Sequence, residues 1–394
     1  MVKGIDVDRM ADIHDDPDVR IVDTRPTAAY NGWRLGQEAR GGHIPGAVAF
    51  PASWADTAYD SDLVGRLASK GVTPDRPIVL FGYDGESATL GDRLVALGFR
   101  DVAVLEGGAA AWAARDDLDV VRLPKSRQLV HPGWLHQLLD GGRPSDAPEG
   151  EYAVFHVNYG VPEDYERGHI PGAFHLDTNS LESSTDWNRR SPEELERALL
   201  DRGITADTTV VLYGHDTAAD PSEDKPGRRA GQIAATRAAA ILLYSGVADV
   251  RLLDGGLNAW RAAGYGIETE QQQPVPATAL GTTIPANPEF FIDYDEAVDL
   301  IADPGGVLVS IRSRAENLGK VSGYNYIEAL GDIPGAVWGN CGTDAYHMQH
   351  YRNIDNTMRD FNEIAANWES AGITPDKKIA FYCGTGWRAS EAFF

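Results

Sequence analysis

The chain has 394 residues, 43% hydrophobic and 24% charged, with 35 basic against 59 acidic side chains and a formal net charge of −24. At roughly 100–150 residues per domain this is two to four domains, of ordinary globular composition rather than disordered or collagen-like. Two cysteines, Cys341 and Cys383, exclude a disulfide framework, and the acidic balance argues against nucleic acid or an anionic membrane surface as partner.

The first twenty residues carry six Asp and no apolar run, so they do not read as a signal peptide, and no stretch is apolar enough to span a bilayer. The expected location is the cytoplasm, where thiols stay reduced; a longer precursor remains open. Residues 19–22 form a short apolar run, followed by Gly-His-Ile-Pro-Gly-Ala at 42–47. A second apolar run spans residues 77–81. Residues 90–97 then have helical spacing and end at Gly98, a C-cap candidate. Residues 102–105 read as a strand, and Gly107-Gly108 opens a helix containing Ala111 and Trp112.

These landmarks return in the same order. Gly-His-Ile-Pro-Gly-Ala recurs at 168–173, and Gly-Asp-Ile-Pro-Gly-Ala follows at 331–336. The apolar run recurs at 209–213 and at 378–382, and the Gly-Gly turn at Gly255-Gly256 with Ala259 and Trp260. The chain is therefore a triplicated α/β unit, each copy a parallel sheet with helices on both faces. The expected divisions are 1–124, 125–275 and 276–394, with an extended connector between Glu268 and Pro288 and an extra loop at 217–229 in the second copy. The third copy stops before its Gly-Gly turn, so it is expected to be truncated at its C-terminus, short of a strand and a helix.

The chemistry lies in Cys383-Gly-Thr-Gly-Trp-Arg-Ala-Ser390, between an apolar strand and a helix. Two glycines in such a loop let several backbone N–H groups converge on one anion, and a cysteine at its start should be a thiolate at neutral pH. Arg388 adds a permanent cation. Cysteine phosphatases place five residues between Cys and Arg; here four intervene, a cradle better matched to a terminal sulfur than to a phosphate. The corresponding position is Gly82 in the first copy and Gly214 in the second, so both are expected to be inactive and to serve packing, shielding or docking.

The Ile-Pro-Gly-Ala element, the Leu253–Trp260 element and the six-residue Cys383–Arg388 loop together resemble the rhodanese (sulfurtransferase) family, with a threefold arrangement similar to bacterial three-domain thiosulfate sulfurtransferases. The resemblance implies that Cys383 takes a sulfane sulfur from a donor, becomes a persulfide and passes the sulfur to a thiophilic acceptor. Gly384, Thr385, Gly386, Trp387, Arg388 and Arg312 are then the candidate substrate-binding residues. Thiosulfate, mercaptopyruvate and a protein persulfide all fit as donors; a small anion is expected on the donor side and a protein or thiol is one option for the acceptor. The competing reading is a binding or sulfur-relay docking module without catalysis.

Arg312 follows Ser310 where the first copy has Asp23-Thr-Arg25 and the second has His156. Arg312 and Arg314 are candidates for holding an anionic donor, with pairing to Glu316 as the alternative. Cys341 reads as a packed residue rather than a resolving thiol. His347 and His350 lack the further ligands a metal site needs. No cofactor and no metal are called for.

Overall fold

The computed structural model describes residues 2–56, 59–83, 85–215 and 231–394; the extra loop expected at 217–229 lies outside them. The chain divides into two bodies, residues 1–126 and 127–394.

The first body holds β1 (Lys3–Ile5), β2 (Arg20–Asp23), β3 (Val48–Ala49), β4 (Ile78–Phe81) and β5 (Val102–Leu105). They form one parallel sheet in the order β1-β5-β4-β2-β3. All four residues of β4 are buried, as expected for a strand covered on both faces. Alternation along the strands feeds two cores. Ile21, Val79, Phe81 and Leu105 pack with Trp112 on one face; Val22, Ile78, Leu80 and Val102 pack with Trp54, Leu67 and Leu94 on the other. The helix read from residues 90–97 spans Glu86–Ala96, and Gly98 closes it at φ 93°, where Phe99 N–H donates to the Leu94 carbonyl.

The second body contains two further sheets. β6 (Leu129–Val130), β7 (Tyr152–Asn158), β8 (Phe174–Asp177), β9 (Thr209–Tyr213) and β10 (Asp249–Leu253) repeat the first topology in the order β6-β10-β9-β7-β8. β11 (Gly306–Ser310), β12 (Val337–Trp338) and β13 (Lys378–Tyr382) form a three-stranded parallel sheet in the order β12-β11-β13. The three sheets are separate, and the third is the shorter unit. The connector is extended but not free. Gln272 N–H donates to the Tyr165 hydroxyl, Ala277 N–H to the Leu200 carbonyl, and Ala206 N–H to the Leu280 carbonyl.

The repeated landmarks have packing causes. His43 stacks on Tyr30 at 3.6 Å and shares a 2.8 Å hydrogen bond with the Tyr30 carbonyl; His169 repeats this on Tyr165 at 3.6 and 2.7 Å. Gly108 and Gly256 sit where a Cβ would lie 2.2 and 2.7 Å from the carbonyl oxygens of Gly82 and Gly214. The Gly-Gly turn therefore closes directly onto the strand-end position that Cys383 occupies in the third unit.

Candidate active site

Cys383 follows β13, and the helix Trp387–Phe393 begins four residues later, with Gly386 as its left-handed N-cap at φ 83°. The loop turns its amides onto the sulfur: Gly386 N–H lies 3.1 Å from Cys383 Sγ. Burial opposes charge on this thiol. The Arg388 guanidinium and the backbone N–H groups of Ala389, Thr385 and Arg388 outweigh it and hold the Cys383 thiol below its ordinary range. Gly384 is required for a second reason: a Cβ there would lie 2.3 Å from the Tyr324 ring.

Arg388 is not a free fork. Its side chain is 1% exposed, and Glu316 accepts from Nη1 at 2.9 Å and from Nη2 at 2.8 Å. Nη2 also donates to the Tyr324 hydroxyl at 2.8 Å, and Nη1 to the Asp344 carbonyl at 3.3 Å. The expectation that Arg388 grips the donor directly is corrected to a buried cation beneath the loop. It stabilises the thiolate through space, with both arms engaged by protein.

Arg312 is corrected as well. Its Nη1 donates to the Gly331 carbonyl at 2.6 Å and its Nη2 to the Ser322 carbonyl at 3.3 Å, with Nε 3.6 Å from Glu316. In the first body Arg25 does the same with the Gly42 carbonyl at 2.6 Å, with Asp23 and with Glu38. Arg312 thus ties the Gly-Asp-Ile-Pro turn to the end of β11 and presents no free fork to a donor. Arg314 donates to Asn317 and lies over the Trp338 ring at 4.8 Å. Cys341 is fully buried against Met348, with its thiol pushed up to about 12 by burial. His347 pairs with Asp344 and His350 with the Cys341 carbonyl, and no cluster of metal-ligating side chains occurs among the described residues.

Several neighbours of Cys383 escaped the sequence. Tyr324 packs on Gly384, and Tyr326 stands 5.3 Å from Tyr324. The second copy, which carries no cysteine, supplies Tyr159 and Trp187. Trp187 stacks on Tyr326 at 5.5 Å, lies 5.4 Å from Tyr159, and meets Trp387 edge-on at 6.3 Å. A cavity of about 370 Å³ is lined by Trp187, Arg237 and Phe291 together with Cys383, Gly384 and Thr385. The described ion pairs leave no unpaired arginine in it: Arg237 is bound to Glu182 at 2.8 Å. Only the Ser313-x-x-Glu316 capping box was a legible signal, placing Glu316 in the first turn of a helix after β11.

A family model described as "Rhodanese-like domain" matches residues 6–115, 132–263 and 293–394. Thiosulfate sulfurtransferase YnjE of Escherichia coli is 39% identical over 375 residues, 95% of this chain and 82% of that protein. Sulfur carrier protein TtuD of Thermus thermophilus is 31% identical over 253 residues, 58% of this chain and 76% of that protein. Among solved structures, the anaerobic ergothioneine biosynthesis enzyme from Chlorobium limicola, in complex with its natural substrate trimethyl histidine, superposes with a TM-score of 0.96 at 42% identity, covering 100% of this chain and 92% of that one. A variant of EanB with a cysteine persulfide and ergothioneine superposes with a TM-score of 0.95 at 42% identity, covering the same shares. The chain belongs to the rhodanese family of sulfurtransferases, as three rhodanese-like units in tandem.

Proposed function

We propose that this sulfurtransferase works through Cys383. The thiolate attacks the outer sulfur of a sulfane donor such as thiosulfate; the donor's S–S bond breaks, sulfite leaves, and a Cys383 persulfide forms. A nucleophilic acceptor then attacks the terminal sulfur, and the Cys383 thiolate is the leaving group. The observation that carries this reading is the Cys383 sulfur held by the loop amides and the buried Arg388 cation. Both arms of Arg388 are engaged by protein, so its part is to favour the thiolate rather than to grip the incoming anion.

The first two units contribute no nucleophile. A Cβ at Gly82 would lie 2.2 Å from Thr24 Oγ1, and one at Gly214 would lie 2.5 Å from the Gly231 carbonyl oxygen, so both positions are filled by other groups.

One observation favours a particular acceptor. Tyr159, Trp187, Tyr324, Tyr326 and Trp387 form an aromatic wall beside the loop, in a chain of net charge −24. Such a wall suits a quaternary ammonium and a flat ring. Trimethyl histidine, the substrate of the Chlorobium limicola enzyme, has both. Transfer to it replaces a ring C–H by C–S, and the released proton goes to the Cys383 thiolate or solvent, so no oxidant is needed.

Steady-state assays with thiosulfate, offering cyanide or trimethyl histidine as acceptor, test the reading. Turnover that Cys383→Ser abolishes supports the proposal; turnover that survives it moves the chemistry elsewhere. Turnover with cyanide alone rejects the betaine acceptor and keeps the sulfurtransferase.

A further inference from the structure

Glu182 is a buried carboxylate in the second unit, 205 residues from its partner on the catalytic loop. Its Oε1 accepts the Trp387 indole N–H at 2.7 Å, and its Oε2 accepts Arg237 Nε at 2.8 Å. Arg237 extends the link: Nη2 donates to the Trp187 carbonyl at 2.8 Å, and Nη1 lies 3.5 Å from Ser390 Oγ. The guanidinium also fills the space beside Gly386, where a Cβ would lie 2.9 Å from Nη1.

One carboxylate thus reaches both tryptophans of the aromatic wall: the Trp387 indole directly, and the Trp187 backbone carbonyl through Arg237. Trp187 needs this restraint. It sits at φ 59°, a left-handed conformation that a bulky residue adopts only when its surroundings enforce it, and such strain concentrates at ligand clamps. The Arg237–Trp187 hydrogen bond and the Trp187 N–H to Ser183 carbonyl bond at 2.9 Å supply the enforcement. Removing one partner of a buried pair leaves the other uncompensated, so cutting this link is costly.

We propose that Glu182 is a positioning residue for the sulfur-transfer site: the cysteine-free second unit uses it to lock Trp387 and Trp187 into the wall that receives the acceptor. The proposal rests on the assignment of the chemistry to Cys383. The second unit then sets acceptor selectivity for the third.

The test compares Glu182→Gln, which keeps an acceptor atom but removes the charge holding Arg237, with Trp387→Phe, which keeps a ring but removes the N–H. Each is expected to raise KM for trimethyl histidine about tenfold, by a clearly larger factor than KM for cyanide, and to lower kcat less than threefold. The double variant should be no worse than the stronger single one, because both cut the same link. Equal losses with both acceptors, an effect confined to kcat, or additive penalties would overturn the proposal. Should Glu182→Gln fail to fold, Trp387→Phe alone carries the comparison. Should the wild-type protein ignore trimethyl histidine, that outcome counts against the acceptor reading, and loop positioning is then read from alkylation of Cys383 by iodoacetamide at pH 7. A rate at least threefold slower in Glu182→Gln supports the brace; an unchanged rate overturns it.

Discussion

Glu316 holds both arms of Arg388 within 2.9 Å in a buried, bidentate pair. Arg388 in turn lowers the charge cost of the neighbouring Cys383 thiolate. The pair divides the labour of the loop: Glu316 fixes the cation, and the cation joins the loop amides in favouring the thiolate.

Arg388→Ala is expected to raise the Cys383 pKa for two reasons. The cation is lost, and the Glu316 carboxylate is left buried and uncompensated nearby. Alkylation of Cys383 by iodoacetamide at pH 7 should slow by about tenfold or more, with the inflection of its pH profile moving upward. Arg388→Lys should fall between, since it keeps the charge and loses the bidentate geometry. An unmoved inflection in Arg388→Ala would assign the thiolate to the backbone alone.

Glu316→Ala should destabilise the second body by about 3–5 kcal/mol, the usual cost of orphaning a buried charge. Burial works against the Glu316 carboxylate, but Arg388 and Ser313 prevail and hold it below the ordinary carboxylate range. A depressed folded pKa gives stability that is full above the unfolded value of about 4.3 and is lost as pH falls through the folded one. Urea denaturation at decreasing pH should show an acid-side loss in the wild-type protein that shrinks in Glu316→Gln.

Asp254 has the opposite sign. It is buried, accepts Met358 N–H at 2.7 Å, and is pushed up to about 7, chiefly by burial. The folded protein keeps a proton that the unfolded chain releases above about pH 3.9, so stability falls as pH rises from there to 7. Asp254→Asn should flatten that decline and exceed the wild type at pH 8 by on the order of a few kcal/mol. Parallel stability curves for the two proteins between pH 4 and 8 would contradict this.

Restoring a cysteine to the first two units should fail. Gly82→Cys must displace Thr24 and Ser87, which share a 2.7 Å hydrogen bond, and Gly214→Cys must displace the backbone at Gly231. A destabilisation of about 1–3 kcal/mol is expected from overpacking, with no turnover gained in a Cys383→Ser background. Thermal melts and the cyanide assay check both.

Much of the architecture was legible because it is periodic. Apolar runs in a fixed order relative to Ile-Pro-Gly-Ala and Gly-Gly turns predicted the three sheets, and the shortness of the third followed from its missing Gly-Gly turn. The Cys383 loop was legible because its glycines, cysteine and arginine are adjacent in sequence. The roles of the arginines were not. Arg388 read as an open cation and Arg312 as either a donor-binding residue or a partner of Glu316, and only folding shows that Gly331, Ser322 and Glu316 already occupy them. The aromatic wall was invisible for a different reason. Trp187 and Glu182 reach the loop from a unit discounted for lacking a cysteine, across a sequence separation with no periodic signature.

The most direct measurement is peptide mass spectrometry of the protein after exposure to thiosulfate. One added sulfur is predicted on the peptide containing Cys383, none on that containing Cys341, and loss of the sulfur on addition of cyanide. Sulfur on Cys341, or an unmodified Cys383 in a protein that turns over, would contradict the account.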